Sequence, residues 1–175
     1  MNNPLPTREQ AIQLLLENGC PPKVITHCEA VAESALEIAD KLEKKGLKID
    51  RKLVEAGALL HDLGRSKTHN VDHGVVGANM AESANLPESL VKIIKRHVGG
   101  GITPEEAKAF GWPEDVYVPV TLEEKIVSYA DKLIDRSKPV SITVEIGRLL
   151  YENKVEAAER VRKLHEEITN LLGNE

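Results

Sequence analysis

Six residues of this chain are of the types that bind transition metals, and each lies on or beside an apolar helix face of the sequence pattern. His27, for example, lies between Val24 and Val31 at helical spacing. Such faces are expected to point into the core, where an unpaired charge is very costly. The pattern therefore predicts imidazoles and carboxylates gathered around a bound cation. The candidate metal ligands are His27, His61, Asp62, His73, His97 and Asp131.

Each of these residues also has a simpler interpretation when it is taken alone. A single histidine on an apolar face is more often a hydrogen-bonded core residue than a ligand, and a single aspartate near a helix end is usually a cap. His69 is an alternative ligand to His73, although it lacks helically spaced apolar neighbours. The joint pattern favours a metal site, because the six residues come from five predicted helices that all face inward.

Helical periodicity dominates the sequence, and no segment shows the sustained alternation that is typical of a strand, so the predicted fold is all-α. Thr7, Asp50 and Thr103 are predicted to cap helices, whereas three glycines predict a loop at 98–102. One domain over residues 1–175 is expected, with C-terminal helices over 142–172 packing on a core region at 20–137. Helices are predicted at about 7–18, 23–45, 50–60, 73–84, 87–97, 103–111, 121–136, 142–152 and 154–172.

The composition narrows the range of partners. A length of 175 residues suits one domain with a real core, and a net charge of −5 argues against nucleic-acid binding as the main activity. Cys20 and Cys28 have neither zinc-finger nor disulfide-framework spacing. No basic segment leads into an apolar run near the N-terminus, and no apolar stretch reaches membrane-spanning length. A cytoplasmic protein with no membrane partner is expected.

Four sequence elements resemble, in order, the motifs of the HD superfamily of metal-dependent phosphohydrolases. The segment Leu60-His61-Asp62-Leu63-Gly64 resembles its HD-hydrophobic-glycine core motif, and His73–Ala78 resembles its H-x-x-x-G-A element. Ile94–His97 and Tyr129–Lys132 resemble the two later elements. The resemblance covers about residues 20–137. It is closest to the bacterial symmetrical diadenosine tetraphosphate hydrolases and to uncharacterised archaeal stand-alone HD proteins.

This resemblance implies an HD-domain helical bundle with a metal site in its core. A first divalent ion would be held by His27, His61, Asp62 and Asp131, and a second by His73 and His97 with Asp62 bridging. A histidine-rich ligand set suits Fe, Mn, Co, Ni or Zn better than Mg or Ca. The implied reaction is hydrolysis of a phosphoester or phosphoanhydride in a small nucleotide by a metal-activated water.

Catalytic roles are expected for Asp62, Lys132 and Arg136, and substrate binding is expected at basic residues and glycines near the motifs. Arg136 is five residues beyond Asp131. On an ideal helix the two lie on different sides, so Arg136 reaches the site only if the helix end or the side chain bends back. The candidate substrate-binding residues are Arg65, Lys67, Gly99 and Gly100.

Two departures from related families bear on the reaction. Single-metal HD nucleotidases often carry a catalytic glutamate shortly after the HD pair, where this chain has Arg65-Ser66-Lys67. A GYP motif is absent after His97, which argues against a cyclic di-GMP phosphodiesterase. A single-metal 5'-nucleotidase and a non-catalytic nucleotide- or metal-binding HD module stay open as alternatives. The sequence predicts neither the natural substrate, the metal nor the oligomeric state.

Overall fold

A computed structural model describes residues 3–173, which form nine α-helices, two short 3₁₀ turns and one small β-hairpin. The 3₁₀ turns lie at Leu63–Ser66 and Val98–Gly100. The all-α prediction is confirmed. The helices are α1 (Arg8–Glu17), α2 (Pro22–Lys44), α3 (Arg51–Leu60), α4 (His73–Ser83), α5 (Glu88–Arg96), α6 (Pro104–Ala109), α7 (Leu122–Lys132), α8 (Ile142–Tyr151) and α9 (Val155–Leu172).

Side-chain caps fix the starts of several helices. Thr7, Thr103 and Thr121 each accept the backbone amide three residues on, and the Gln or Glu at that position bonds back to the cap amide. Asp50 accepts the amide of Leu53 at the start of α3. Each cap satisfies amides that have no partner inside the helix, so these starts follow from local sequence.

Helix α3 lies at the centre of the fold, in contact with α1, α2, α5 and α7. Seven of its ten residues are buried, so it has almost no solvent-facing side. The residues that directly follow α3 therefore emerge inside the core rather than at the surface. This is the reason that the polar pair His61 and Asp62 is buried.

The end of α7 differs from the prediction. A helix was expected to reach about residue 136, but α7 ends at Lys132 and a hairpin follows, with β1 (Ile134–Asp135) antiparallel to β2 (Lys138–Pro139). Arg136 lies in the turn between the strands with a φ of 59°. A helix cannot continue through this left-handed conformation, and Pro139 cannot donate a helical hydrogen bond.

The C-terminal helices pack on one another and on the rest of the molecule. Leu149, Ala158 and Val161 form a small apolar cluster between α8 and α9. Further along α9, Leu164 and Ile168 join the main core. Within residues 3–173, no helix combines the length and the apolar character needed to cross a bilayer.

Candidate metal centre

The HD pair lies at the junction of α3 and the first 3₁₀ turn. His61 is the C-cap of α3, and Asp62 directly precedes the turn at Leu63–Ser66. His61 is fully buried and Asp62 is 7% exposed. The turn redirects the chain immediately after Asp62, so both side chains stay inside the core between α2, α4, α5 and α7.

A glycine contact brings α4 against this turn. A Cβ atom on Gly64 would lie 1.9 Å from the carbonyl oxygen of His73 and 2.8 Å from the amide nitrogen of Gly77. No side chain larger than hydrogen can occupy that space. The close approach places His73, the first residue of α4, beside Asp62, with its Nε2 atom 3.3 Å from the Oδ1 atom.

Four imidazoles point the same ring nitrogen into the centre. In each ring the Nδ1 atom faces a backbone carbonyl oxygen, and a carbonyl can only accept a hydrogen bond, so Nδ1 carries the proton. The neutral rings therefore turn bare Nε2 atoms inward, which is the state that binds a metal. The Nδ1–carbonyl pairs are His27–Arg136 at 2.6 Å, His61–Ala58 at 2.6 Å, His73–Asn70 at 2.8 Å and His97–Ile94 at 2.7 Å.

The two oxygens of Asp62 face two different groups of ligands. Oδ2 lies 3.4 Å from the Nε2 atom of His61, whereas Oδ1 lies 3.3 Å from that of His73 and 3.4 Å from that of His97. His27, His61 and Asp131 form one compact set of potential ligands, and Asp62, His73 and His97 form another. Asp62 is thus placed between two sets that could each hold an ion.

The inward-facing ring nitrogens of the centre lack the hydrogen-bond donors that would link them in the absence of a cation. The Nε2 atoms of His73 and His97 lie 3.1 Å apart, although both are acceptors in the neutral rings. The Nε2 atom of His61 is buried and makes no hydrogen bond within residues 3–173. Acceptors that converge in this way repel one another unless a positive charge lies between them. The residues present therefore suit divalent metal ions.

The pKa values of the buried histidines and carboxylates also indicate that most of the centre favours positive charge. Burial alone would lower the pKa of His61, but the carboxylates of Asp62 and Asp131 raise it well above its ordinary value. Burial would raise the pKa of Asp62, yet the neighbouring His61 holds it well below the usual range. For His97 burial prevails and lowers the pKa to about 4. His61 and His97 thus differ in how strongly they attract a proton.

A cavity of about 930 Å³ opens onto the metal centre. Arg65, Lys132 and Arg136 line it, as does Gly99. Arg136 lines the cavity because the chain leaves the helical path after Lys132. His69 also lines the cavity, but it is not part of either ligand set.

Two of the predicted substrate-binding residues lie elsewhere. Lys67 is exposed and is not among the residues that line the cavity. Gly100 packs against α9, where a Cβ atom would lie 3.3 Å from a methyl group of Val161. Gly100 therefore has a packing role, which its glycine-rich sequence context does not reveal.

Sequence reasoning also missed the residues that hold His97 in place. Ser128 donates a hydrogen bond to the His97 carbonyl at 3.1 Å. Arg96, the preceding residue, forms a buried ion pair with Glu124, which also closes the capping box of Thr121. The sequence carries one signal for Glu124, which lies three residues after Thr121 at the start of a helix. This spacing is typical of a capping box.

The match to known families agrees with this geometry. Residues 24–134 match the HD domain model, and this chain belongs to the HD domain family. Members of this family bind divalent metals. It is 44% identical over 168 residues to an uncharacterized protein of Methanocaldococcus jannaschii, a match that covers 94% of this chain and 98% of that protein.

A second relative is a much longer protein. The chain is 39% identical over 171 residues to a tRNA (cytidine(56)-2'-O)-methyltransferase of Picrophilus torridus. The match covers 98% of this chain but only 49% of that protein, so this chain spans about half the length of that methyltransferase. The name of that relative describes the whole protein, of which the matched part is one half.

A solved structure shows the same fold. The HD domain of the phosphodiesterase PgpH from L. monocytogenes, in complex with cyclic-di-AMP, superposes with a TM-score of 0.57. The match covers 93% of each chain at 17% sequence identity.

Proposed function

We propose that this protein is a phosphohydrolase that uses two divalent metal ions to cleave a phosphoester or phosphoanhydride bond in a small nucleotide. The observation that supports this most is the convergence of four bare Nε2 atoms on Asp62 and Asp131, with each ring fixed by a backbone carbonyl. Such a site attracts cations. An anionic phosphoryl group is the natural substrate for a cluster of metal ions.

Two metal ions about 3.5–4 Å apart can clamp a phosphoryl group and lower the pKa of a bound water. The chain's own residues prepare the site for this chemistry. Asp62 offers one oxygen to each ligand set, so it would fix the spacing between the ions. Because the Nδ1 protons are held by carbonyl groups, the rings keep their orientation whether or not the site is loaded.

Two basic residues at the centre now pair with the carboxylates that would bind metal. Arg65 lies 3.7 Å from Asp62, and Lys132 contacts Asp131 at 3.0 Å. Bound metal ions would take up the charge of these carboxylates and leave both cations free to bind phosphoryl oxygens. Arg136 makes no ion pair in the described part of the chain and lines the same cavity. We assign Arg65, Lys132 and Arg136 to binding the negatively charged phosphoryl group of the substrate.

The other candidate functions gain less support. A single-metal nucleotidase would not need the second set formed by His73, His97 and Asp62, and a binding module would not need two sets at all. The methyltransferase among the relatives is about twice the length of this chain. Its name describes the whole protein, whereas the matched region of this chain contains the metal ligands. The match therefore does not favour methyl transfer as the activity of this chain.

The test is metal-dependent phosphate release by the purified protein. After removal of metal with a chelator, Mn, Co, Ni, Zn or Mg would be added back and each preparation assayed on mononucleotides, cyclic mononucleotides, symmetrical dinucleoside polyphosphates and RNA oligonucleotides. We expect hydrolysis of small nucleotides that disappears with the metal and returns with a transition metal. Metal-loaded protein that hydrolyses no small nucleotide would refute the proposal, as would activity confined to RNA.

A further inference from the structure

The cavity that opens onto the metal centre extends to a region with a different character. Ten large hydrophobic residues are exposed within residues 3–173, and four of them line this one cavity. Exposed apolar residues are normal when they are scattered, but a cluster at a cavity marks a binding surface. We call this cluster the apolar wall; it consists of Val71, Phe110, Val144 and Val155.

The cations around the apolar wall are already neutralised. Arg148 donates hydrogen bonds to Glu145 and Glu152, each at 2.7 Å. Lys154 also pairs with Glu152, at 2.8 Å. None of these carboxylates belongs to a metal-ligand set. Metal binding therefore does not release these cations, in contrast to Arg65 and Lys132.

The same holds for the third cation in this region. Arg160 pairs with Glu106 at 3.0 Å and donates a hydrogen bond to the carbonyl of Gly101 at 3.0 Å. Glu156, which forms no ion pair with the residues at 3–173, adds a negative charge to the lining. A second phosphoryl group in this part of the cavity would have to break ion pairs and approach a carboxylate. The region suits an uncharged group.

These observations point to an occupant with two unlike ends. Resting on the function proposed above, we propose that the apolar wall binds the base of a mononucleotide whose phosphoryl group lies at the metal centre. The cavity volume of about 930 Å³ is ample for a single nucleotide. Phe110 is 48% exposed, and bases of any sequence stack on exposed aromatic rings.

Two of the four residues of the apolar wall lie outside the part of the chain that matches the family model. Val144 belongs to α8 and Val155 begins α9, both beyond residue 134 where the family match ends. The Phe110 ring packs against Trp112, with ring centroids 5.0 Å apart, and Trp112 packs on Tyr117 at 5.2 Å. Because the apolar wall contains no metal ligand, it would affect substrate choice rather than the chemical step.

The test compares a nucleotide with the same phosphate lacking the base. Metal-loaded protein would be assayed for kcat/KM on adenosine 5'-monophosphate and on ribose 5-phosphate. We expect the nucleotide to be preferred by about tenfold or more, since stacking of one base contributes on that scale. Phe110→Ala and Val144→Asp should abolish most of this preference through KM, while the metal content stays unchanged.

Val120→Asp provides a matched control, because Val120 and Val144 are 56% and 57% exposed but only Val144 lines the cavity. The control should keep the preference. Equal kcat/KM for the two substrates in wild-type protein would overturn the proposal, as would an unchanged preference in both wall variants.

A binding measurement separates this proposal from the proposed function. Calorimetric titration of the metal-loaded protein with adenosine 5'-monophosphate needs no turnover. If no phosphate is hydrolysed but the nucleotide binds and Phe110→Ala weakens it, the wall is a base site and the catalytic proposal fails. If hydrolysis proceeds but the variants bind the nucleotide as the wild type does, the base-site proposal fails and the catalytic one stands.

Discussion

The metal centre and the apolar wall line the same cavity but are built in opposite ways. We call these two parts of the cavity its two ends. At the metal end the functional side chains are buried, and backbone carbonyls from α3, α5 and neighbouring turns fix each imidazole. At the other end, Phe110 and Val144 are exposed and no polar contact fixes them. The difference indicates that ion positions are set by the core of the fold, whereas the surface for the organic part of a substrate can change at little cost to stability.

The largest effect is expected at the carboxylate between the two ligand sets. Asp62→Asn removes a charge that both sets share, so bound metal should be lost from both. Activity should fall by roughly 10³-fold, the scale expected when a group that stabilises transition-state charge is removed. Metal analysis and phosphate release are the measurements.

Asp135→Asn is the matched control, because Asp135 lines the same cavity without belonging to either ligand set. It should keep metal and most activity. An Asp62→Asn protein with wild-type metal content would show that the metal end is not organised as described.

Removing a ligand from one set should release one ion and leave the other bound. His97→Ala should lower the metal content from about two ions per chain to about one and reduce the rate by about 10²-fold, since the phosphate clamp needs both. His27→Ala should remove the other ion. His165→Ala is the control, because His165 bonds to Tyr129 away from the cavity. Loss of both ions in His97→Ala with an unchanged circular dichroism spectrum would contradict two separable sets.

Replacing Arg136 and Arg148 in turn compares an arginine without an ion pair with an arginine that glutamates neutralise. Arg136→Gln should raise KM for a nucleotide about tenfold, because a charged hydrogen bond to phosphate is lost. Arg148→Gln should change KM less than about twofold, since its charge is already balanced by glutamates. Steady-state kinetics with a common substrate give both numbers. Equal effects would remove the distinction between free and neutralised cations.

The smallest effect concerns protons at the metal end. Asp62 and Asp131 raise the pKa of His61 against the effect of burial, so a proton competes with the first ion for its Nε2 atom. The first ion must displace it, and its apparent affinity should rise with pH until the pH exceeds that raised pKa. His97, with a pKa of about 4, does not compete in this way near neutral pH.

Calorimetry in two buffers of different ionisation enthalpy measures the released proton. His97→Ala, which keeps only the first ligand set, should still release it on binding Mn²⁺. A proton count of zero in that variant would mean that His61 is not the site of competition.

Much of the metal end could be predicted from sequence, because helical period and apolar neighbours show which way a side chain faces. His73 at the start of one helix and His97 after the end of the next were expected to meet, and their Nε2 atoms lie 3.1 Å apart. The left-handed turn at Arg136 was not predicted, since a charged residue with positive φ leaves no local signal. The contacts of Arg96 and Gly100 depend on distant segments and could not be read locally.

The other end of the cavity could hardly be predicted at all. Phe110 directly follows the short helix α6, and Val144 belongs to the amphipathic helix α8, whose sequence shows only that one face is apolar. Which part of that face borders a cavity depends on how α6, α8 and α9 pack. Periodicity identifies residues that face inward, but it does not identify exposed residues that share a cavity.

The most direct measurement is an anomalous difference map from a crystal of the protein grown with MnCl₂. The account predicts two manganese peaks on either side of the Asp62 carboxylate. One should lie among His27, His61 and Asp131, and the other between His73 and His97. A single peak at full metal loading, or two peaks that do not share Asp62, would contradict the two-metal centre.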